Sequence, residues 1–213
     1  GGGHKQNYRW VDFVRKQGED GKSLEERVEK ILYDPVRSAR LALVASGRQK
    51  RYIIATQNVK EGDVVSTSTE IPPVVVSIKE GNAHPLGALP VGAMIHHVEK
   101  FPGEGGKYCL AAGASAQLVK KKTDTCIIRL PSKQEVELDR HCIAVIGQVS
   151  NSDHQDKHIG SAWRLRWLGF RPRSGLKSRK CGYDGKKIKS SRPAKLVTRI
   201  EPEPKVYKMT LDS

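Results

Sequence analysis

The sequence predicts a mainly β protein built from small barrels, and three observations support this fold class. Short runs rich in Val, Ile and Tyr recur along the chain, and turn-forming residues separate them. Strands do not alternate with helical segments, as they would in a parallel sheet. The length of 213 residues suits one large or two small domains, at roughly 150 residues per domain.

Nine runs are predicted strands, and turn residues join several of them. In chain order the runs are 27–33, 40–45, 51–55, 74–78, 94–98, 117–119, 126–130, 135–138 and 143–149. Ser46-Gly47-Arg48 predicts a tight hairpin between the second and third runs. Thr123-Asp124 and Pro131-Ser132 mark turns in a second meander.

The segment 81–87, which contains two glycines and a proline, is the predicted boundary between two barrels. It leaves a part of about 80 residues on each side, the size of an OB-type or SH3-like barrel. A basic stretch follows the second part. We therefore predict domains at 1–79 and 80–162 and a C-terminal extension at 163–213.

Positive charge is concentrated at the two ends of the chain, whose net charge is +15. Residues 163–195 contain twelve Lys or Arg and one acid, whereas residues 17–162 are almost balanced. The opening residues 1–16 carry four basic side chains against Asp12. Such a surplus indicates a polyanionic partner, either nucleic acid or an acidic membrane surface. We favour nucleic acid, because the tail lacks the amphipathic helix that a membrane-surface protein needs.

Several other classes are disfavoured. No apolar run approaches the ~18 residues of a transmembrane helix, and no signal peptide opens the chain. Because the chain starts at Gly1 without Met, we expect a processed product. Cys109, Cys126, Cys142 and Cys181 form no C-x-x-C pair, which argues against a zinc ribbon and favours a reducing compartment.

Two histidines, His154 and His158, are spaced four apart, as metal ligands on one helix face can be. However, Asn151-Ser152-Asp153 predicts a turn, and no Glu follows His154 as H-E-x-x-H requires. We predict no metal site here. For the neighbouring pair His96 and His97 we expect one packed and one exposed ring, as in a regular strand.

A thiol-dependent enzyme is the second alternative, since His141 precedes Cys142. Cys142 opens the apolar run 143–146, so we predict a buried and unreactive thiol. The loop 103–106 lacks the Gly-Lys-Ser/Thr ending of a phosphate loop. We therefore predict no enzyme activity, no cofactor and no small-molecule substrate.

A series of short motifs, in order from residue 1 to about 172, carries a family resemblance. They are Gly1-Gly2-Gly3-His4-Lys5, Tyr8-Arg9, Asp12-Phe13, Tyr33-Asp34-Pro35-Val36-Arg37-Ser38-Ala39, Arg51-Tyr52-Ile53-Ile54-Ala55, Leu89-Pro90-Val91-Gly92, Pro102-Gly103-x-Gly105-Gly106, Ala112-Gly113, Gly147-x-Val149-Ser150-Asn151-x-x-His154 and Arg166-Trp167-Leu168-Gly169-x-Arg171-Pro172. Together they resemble the large-subunit ribosomal protein two family. Thr56 and the run 84–90 look more like its animal mitochondrial branch than its bacterial one.

The resemblance implies an OB-fold barrel followed by an SH3-like barrel, with a basic extended tail that threads into RNA. It also implies a structural role in the large subunit of the mitochondrial ribosome, in the mitochondrial matrix. There the family binds large-subunit ribosomal RNA near the peptidyl transferase centre and supports assembly and translation. The expected partners are this RNA and neighbouring mitochondrial ribosomal proteins.

The predicted RNA-binding residues are mostly basic side chains at the two ends and in the motifs. They are His4, Lys5, Tyr8, Arg9, Arg15, Arg37, Arg51, Lys107, His154, Arg164, Arg166, Arg171, Arg173, Lys177, Arg179, Lys180, Lys186 and Lys187. Tyr8 lies between Lys5 and Arg9, so we expect it to stack on an unpaired base. Trp10 is predicted to pack into the barrel, with stacking as its alternative.

Two departures from the family pattern bear on function. Leu110 stands where the family usually has an arginine that touches RNA, and Lys107 is the expected substitute. Bacterial members carry a histidine-containing segment after R-P, whereas no histidine follows His158 in this sequence. Trp163 and Trp167 are expected either to pack on the second barrel or to stack on a base.

Overall fold

A computed structural model describes residues 5–18, 23–73 and 76–169, together with the backbone of Lys195–Leu196. Within these residues the protein forms thirteen strands, one short α-helix and two 3-10 turns. The predicted fold class, an OB-fold barrel followed by an SH3-like barrel, is confirmed.

The first barrel contains four antiparallel strands. These are β1 (Leu24–Leu32), β2 (Leu41–Ser46), β3 (Gln49–Ile54) and β4 (Val64–Thr67), in the sheet order β4-β1-β2-β3. The predicted hairpin joins β2 to β3, and Gly47 supplies the positive φ (57°) that its turn needs. Side chains such as Val28, Val44 and Val65 point inward and form the core of this barrel.

The second barrel uses the remaining strands. These are β5 (Ala83–Pro85), β6 (Met94–His96), β7 (Val98–Glu99), β8 (Gly106–Tyr108), β9 (Ala116–Lys121), β10 (Thr125–Arg129), β11 (Glu135–Asp139) and β12 (Ile143–Ile146). The two-residue strand β13 (Lys195–Leu196) pairs in parallel with β11. The core of this barrel is larger and includes Leu118, Ile128, Leu138 and Ile146.

The structure corrects some of the predicted strands. Residues 76–78 of the predicted run 74–78 are not in a strand, and residues 74–75 lie outside the described residues. The segment 81–87 is not a plain linker, because it contains β5, which meets β4 in a parallel bridge between Thr67 and Ala83. Three other short strands, β4, β8 and β13, were not predicted.

Residues 11–15, called here the N-terminal strap, run across both barrels. On the first barrel, Val11 bridges to Tyr52 of β3, and the Asp12 amide donates to the Tyr52 carbonyl at 2.9 Å. On the second barrel, the Phe13 carbonyl accepts a hydrogen bond from Gly106 N at 2.8 Å. The strap therefore connects the two barrels through main-chain hydrogen bonds.

Both histidines of the 96–97 pair are buried, so the expected arrangement of one packed and one exposed ring is wrong. The alternation fails because His97 has a positive φ (52°) and lies between β6 and β7 rather than within a strand. His96 Nε2 is 2.9 Å from the Thr56 hydroxyl oxygen. Burial lowers the pKa of both imidazoles, that of His97 to about 4.

Candidate RNA-binding surface

Aromatic and basic side chains come together at the N-terminal end of the first barrel. The Arg37 guanidinium carbon lies 5.2 Å from the centre of the Tyr8 ring and 5.6 Å from that of Phe13. Tyr8 and Trp10 meet edge to face, with their ring centroids 5.6 Å apart. We call these four residues the Tyr8 cluster.

Arg37 is held in place by the Tyr33–Arg37 turn that carries it. The Asp34 side chain is buried, accepting a hydrogen bond from Val36 N through one oxygen and from Arg37 Nη1 at 2.8 Å through the other. Arg37 Nη2 in turn donates to the Tyr8 hydroxyl at 3.0 Å. Burial lowers the pKa of Arg37, but hydrogen bonds to Asp34 and Tyr8 outweigh it and raise the pKa overall. The guanidinium thus stays charged and fixes the Tyr8 ring.

Trp10 is 85% exposed, so the prediction that it packs into the barrel is wrong. The strap pairs with β3 through Val11, and Trp10 precedes that pairing and projects outside the core. Tyr8 is 55% exposed, as its predicted role requires. Both rings are therefore accessible to a ligand in solvent.

Arg15 lies inside the protein and not on this surface. Its side chain is buried, with Nε bonded to the Thr67 hydroxyl and Nη2 to the Gly81 carbonyl, both at 3.2 Å. Burial lowers its pKa to about 10, which leaves the guanidinium charged at neutral pH. The expectation that Arg15 contacts RNA is therefore set aside, because its donors face protein oxygens between the barrels.

Arg51 is also used within the first barrel. It forms two hydrogen bonds to the buried carboxylate of Glu26, at 2.7 and 2.8 Å, and bonds to Asp12 and the Val14 carbonyl through Nη1. Burial lowers the pKa of Arg51, but the bonds to Glu26 and Asp12 more than compensate and raise it. Arg51 therefore anchors the strap to β1 and β3. The expectation that Arg51 contacts RNA is set aside, because these bonds occupy its side chain.

The remaining predicted residues of the two barrels lie at the surface. Lys5 and His154 are exposed, and Arg9 is half-buried. Lys107 is exposed in β8 and makes a loose ion pair with Glu104, at 3.8 Å. Leu110 is half-buried against an apolar cluster that includes Leu41 and Val149, so this position contributes packing.

The short helix α1 (Ala162–Trp167) contains two further predicted residues, Arg164 and Arg166, both exposed. Trp163 and Trp167 are 70% and 73% exposed. The expectation that they pack on the second barrel is therefore wrong, and the alternative, stacking on a base, stays a prediction. The other predicted residues, His4, Arg171, Arg173, Lys177, Arg179, Lys180, Lys186 and Lys187, lie outside the described residues.

The glycine-rich loop after β7 is organised by a protein carboxylate. Glu99 is buried, and its two oxygens accept hydrogen bonds from the amides of Gly103, Gly105 and Ile143 at 3.0 to 3.1 Å. These amides are therefore satisfied internally. The loop shapes the second barrel and does not offer its amide groups to a phosphate.

The geometry offers little for metal or thiol chemistry in the described part of the chain. No three His, Cys, Asp or Glu side chains come close enough there to hold a metal ion. Cys142 is buried, as predicted, and burial raises the pKa of its thiol to about 12. Over the same residues, no helix is both long and apolar enough to cross a membrane.

Two small β-barrels with exposed aromatic and basic side chains define a class of basic, RNA-binding barrel proteins. Comparison with protein families is more specific. The family model described as Ribosomal Proteins L2, RNA binding N-terminal domain, matches residues 1–67. The one described as Ribosomal Proteins L2, C-terminal domain, matches residues 79–181. The chain belongs to the ribosomal protein L2 family, whose members are structural, rRNA-binding proteins of the large ribosomal subunit.

Proposed function

We propose that this protein is the L2 protein of an animal-type mitochondrial ribosome. It works in the mitochondrial matrix, binds large-subunit rRNA near the peptidyl transferase centre, and supports assembly and mitochondrial translation. The assignment to a mitochondrial ribosome rests on two motif variants, Thr56 and the run 84–90, which differ from the bacterial pattern. In the structure Thr56 bridges to Val149, and His84 and Pro85 of the second variant lie in β5, which pairs with β12.

RNA binding is proposed for the exposed side chains at both ends of the chain. At the N-terminal end these are His4, Lys5, Arg9 and the Tyr8 cluster, in which Tyr8 and Trp10 can stack on unpaired bases. Farther along they are Lys107, His154, Arg164 and Arg166 and the basic residues of the tail. The near-neutral body between the ends contributes little charge, so the ends dominate the electrostatic part of binding.

The proposed role is structural. The one predicted thiol candidate, Cys142, is buried, and no histidine of the sequence follows His158 to take the place of the bacterial segment. A chain of this kind positions RNA and neighbouring ribosomal proteins, while the reaction itself is left to the rest of the ribosome.

The location is tested with the tagged full-length protein in animal cells. Mitochondria are isolated, lysed and separated on a sucrose gradient. We expect the protein to sediment with mitochondrial large subunits. Sedimentation with cytosolic large subunits, or at the top of the gradient, would reject the proposed location.

The RNA-binding surface is tested by the salt dependence of binding to a large-subunit rRNA fragment. Changing Arg171, Arg173, Lys177 and Arg179 to Gln should lower the slope of log K against log salt by about 3 units, since each phosphate contact contributes roughly 0.7 to 0.9. The matched control changes four exposed basic residues of the body, Lys50, Lys60, Lys120 and Arg129, to Gln. Equal slopes in the two variants would show that the tail has no special role.

A further inference from the structure

The helix α1 presents an aromatic face to solvent, although it is only six residues long. At about 100° per residue, Trp163 and Trp167 lie about 40° apart around the helix axis and about 6 Å apart along it. Arg164 and Arg166 lie on the two flanks of this pair. Leu165 is on the opposite side and is half-buried. The helix thus places Leu165, its least exposed residue, on one side and its two largely exposed tryptophans on the other.

Both ends of this helix are capped, so the face is displayed on a defined element. The Ser161 hydroxyl accepts a hydrogen bond from Arg164 N at 3.3 Å, which caps the N-terminus. At the C-terminus, Gly169 has a positive φ of 86°, and its amide donates to the Arg166 carbonyl at 3.0 Å. These bonds hold the two tryptophans and the two arginines in a fixed relation.

We propose that α1 is a stacking site for unpaired nucleobases of RNA, in which Trp163 and Trp167 each receive a base. Arg164 and Arg166 bind the adjoining phosphates from the two flanks. This inference rests on the proposed function, and it adds a subsite with a defined ligand class. Of the two roles that the sequence leaves open for these tryptophans, the exposure of both rings favours stacking.

Charge decides between RNA and a protein partner for this face. Trp and Arg are common at protein interfaces too, but the core of such an interface is depleted of charge. Here each ring has an arginine beside it, and the helix begins a stretch, 163–195, with twelve basic residues and one acid. A polyanion with exposed π faces complements both features, and unpaired RNA has both.

The experiment uses the full-length protein and two probes, a 12-nucleotide oligoadenylate and a fully paired RNA duplex. The chain has three tryptophans, so a W10F variant reports fluorescence from Trp163 and Trp167 alone. We expect oligoadenylate to quench this fluorescence and the duplex to leave it unchanged. Equal quenching by the duplex would overturn the proposal, because the duplex has no unpaired base to stack.

Affinity is compared between two double variants at the same positions. W163L/W167L removes both π faces, and we expect it to weaken oligoadenylate binding by at least about tenfold. W163F/W167F keeps aromatic rings and should bind within about threefold of the parent. Both pairs keep the net charge, so the salt slope should not change, and thermal unfolding checks that each variant is folded.

The outcomes separate this inference from the proposed function. If the parent protein binds no RNA in a salt-dependent manner, both are overturned. If RNA binding and its salt slope are normal while W163L/W167L binds like the parent, only the stacking site is overturned. If W163L/W167L binds RNA normally but fails to enter large subunits in cells, the face is a protein docking surface and the proposal is wrong.

Discussion

The imidazole ring of His97 stacks on the ring of Phe13, with centroids 5.9 Å apart and planes 14° from parallel. Phe13 belongs to the N-terminal strap and His97 to the second barrel, so this contact is part of the junction between them. Gly106 also lies against the imidazole. A Cβ atom added to Gly106 would come within 2.7 Å of three ring atoms.

Replacing Gly106 by Ala should therefore destabilise the protein. The added methyl group would overlap a buried ring, and overpacking of this kind costs about 1–3 kcal/mol of unfolding free energy. Gly160→Ala is the matched control, since its added methyl group meets nothing within 4 Å. Urea denaturation measures both variants, and equal midpoints would contradict the tight packing at His97.

The buried histidines predict a loss of stability in mild acid. The pKa of His97 falls from 6.5 in the unfolded chain to about 4 in the folded protein through burial, with Arg15 lowering it and Asp12 raising it. Between these two values the unfolded state binds a proton that the folded state excludes, so stability falls as pH falls. From pH 7 to pH 5 the loss is about 2 kcal/mol for His97, and His96 adds to it in the same direction.

Two variants check this pH dependence by urea denaturation at pH 7 and pH 5. His97→Asn suits the left-handed backbone at this position and removes the titrating ring, so it should reduce the pH dependence by about 2 kcal/mol. His158→Gln, which replaces an exposed imidazole outside the buried pair, is the matched control. A full pH dependence in His97→Asn would show that this imidazole is not its source.

Arg51→Gln should destabilise the fold without affecting RNA binding. The substitution leaves the buried Glu26 carboxylate without its cation, and breaking a buried pair costs about 3 kcal/mol or more. Its neighbour Lys50 has an exposed ion pair with Glu29, so Lys50→Gln should cost less than about 1 kcal/mol. If Arg51→Gln instead lowered the salt slope of RNA binding more than Lys50→Gln, Arg51 would be an RNA contact after all.

His154→Gln and His158→Gln should leave peptide-bond formation intact on assembled large subunits. Both side chains are exposed and belong to no metal-binding group in the described residues. A structural role predicts effects on assembly at most. A selective loss of the chemical step, with normal amounts of assembled subunit, would refute this assignment.

Local patterns in the sequence were sufficient for much of the fold. The hairpin at Gly47 and the meander through β9, β10 and β11 follow from alternating apolar residues and turn signals, which depend on near neighbours. β4 and β8 were not predicted because each is only three or four residues long, and β4 also owes its pairing to the distant strand β1. The burial of His97 was not predicted because its positive φ breaks the alternation of side-chain faces along a strand.

The candidate site was harder to predict, since charge counts cannot distinguish a free cation from a satisfied one. Arg15 and Arg51 lie in or near basic stretches, yet Thr67, Gly81 and Glu26, far along the chain, take up their donors. Trp10 was misplaced for the reverse reason, because a tryptophan ordinarily indicates a core position. The sequence did contain one signal for an exposed Trp10. This residue directly follows Arg9 and precedes Asp12, and both of these belong to motifs of the family resemblance.

The strap has a consequence for the order in which this chain folds during its own synthesis. The Arg15 side chain bonds to Thr67 and Gly81, which are 52 and 66 residues farther along the chain. The Phe13 carbonyl bonds to Gly106, which is later still. Because a nascent chain emerges from its N-terminus, these partners do not yet exist when the strap is made. The strap is therefore made before both barrels and is among the last of these parts to be fixed. The junction between the barrels can therefore close only after translation has passed the start of the second barrel.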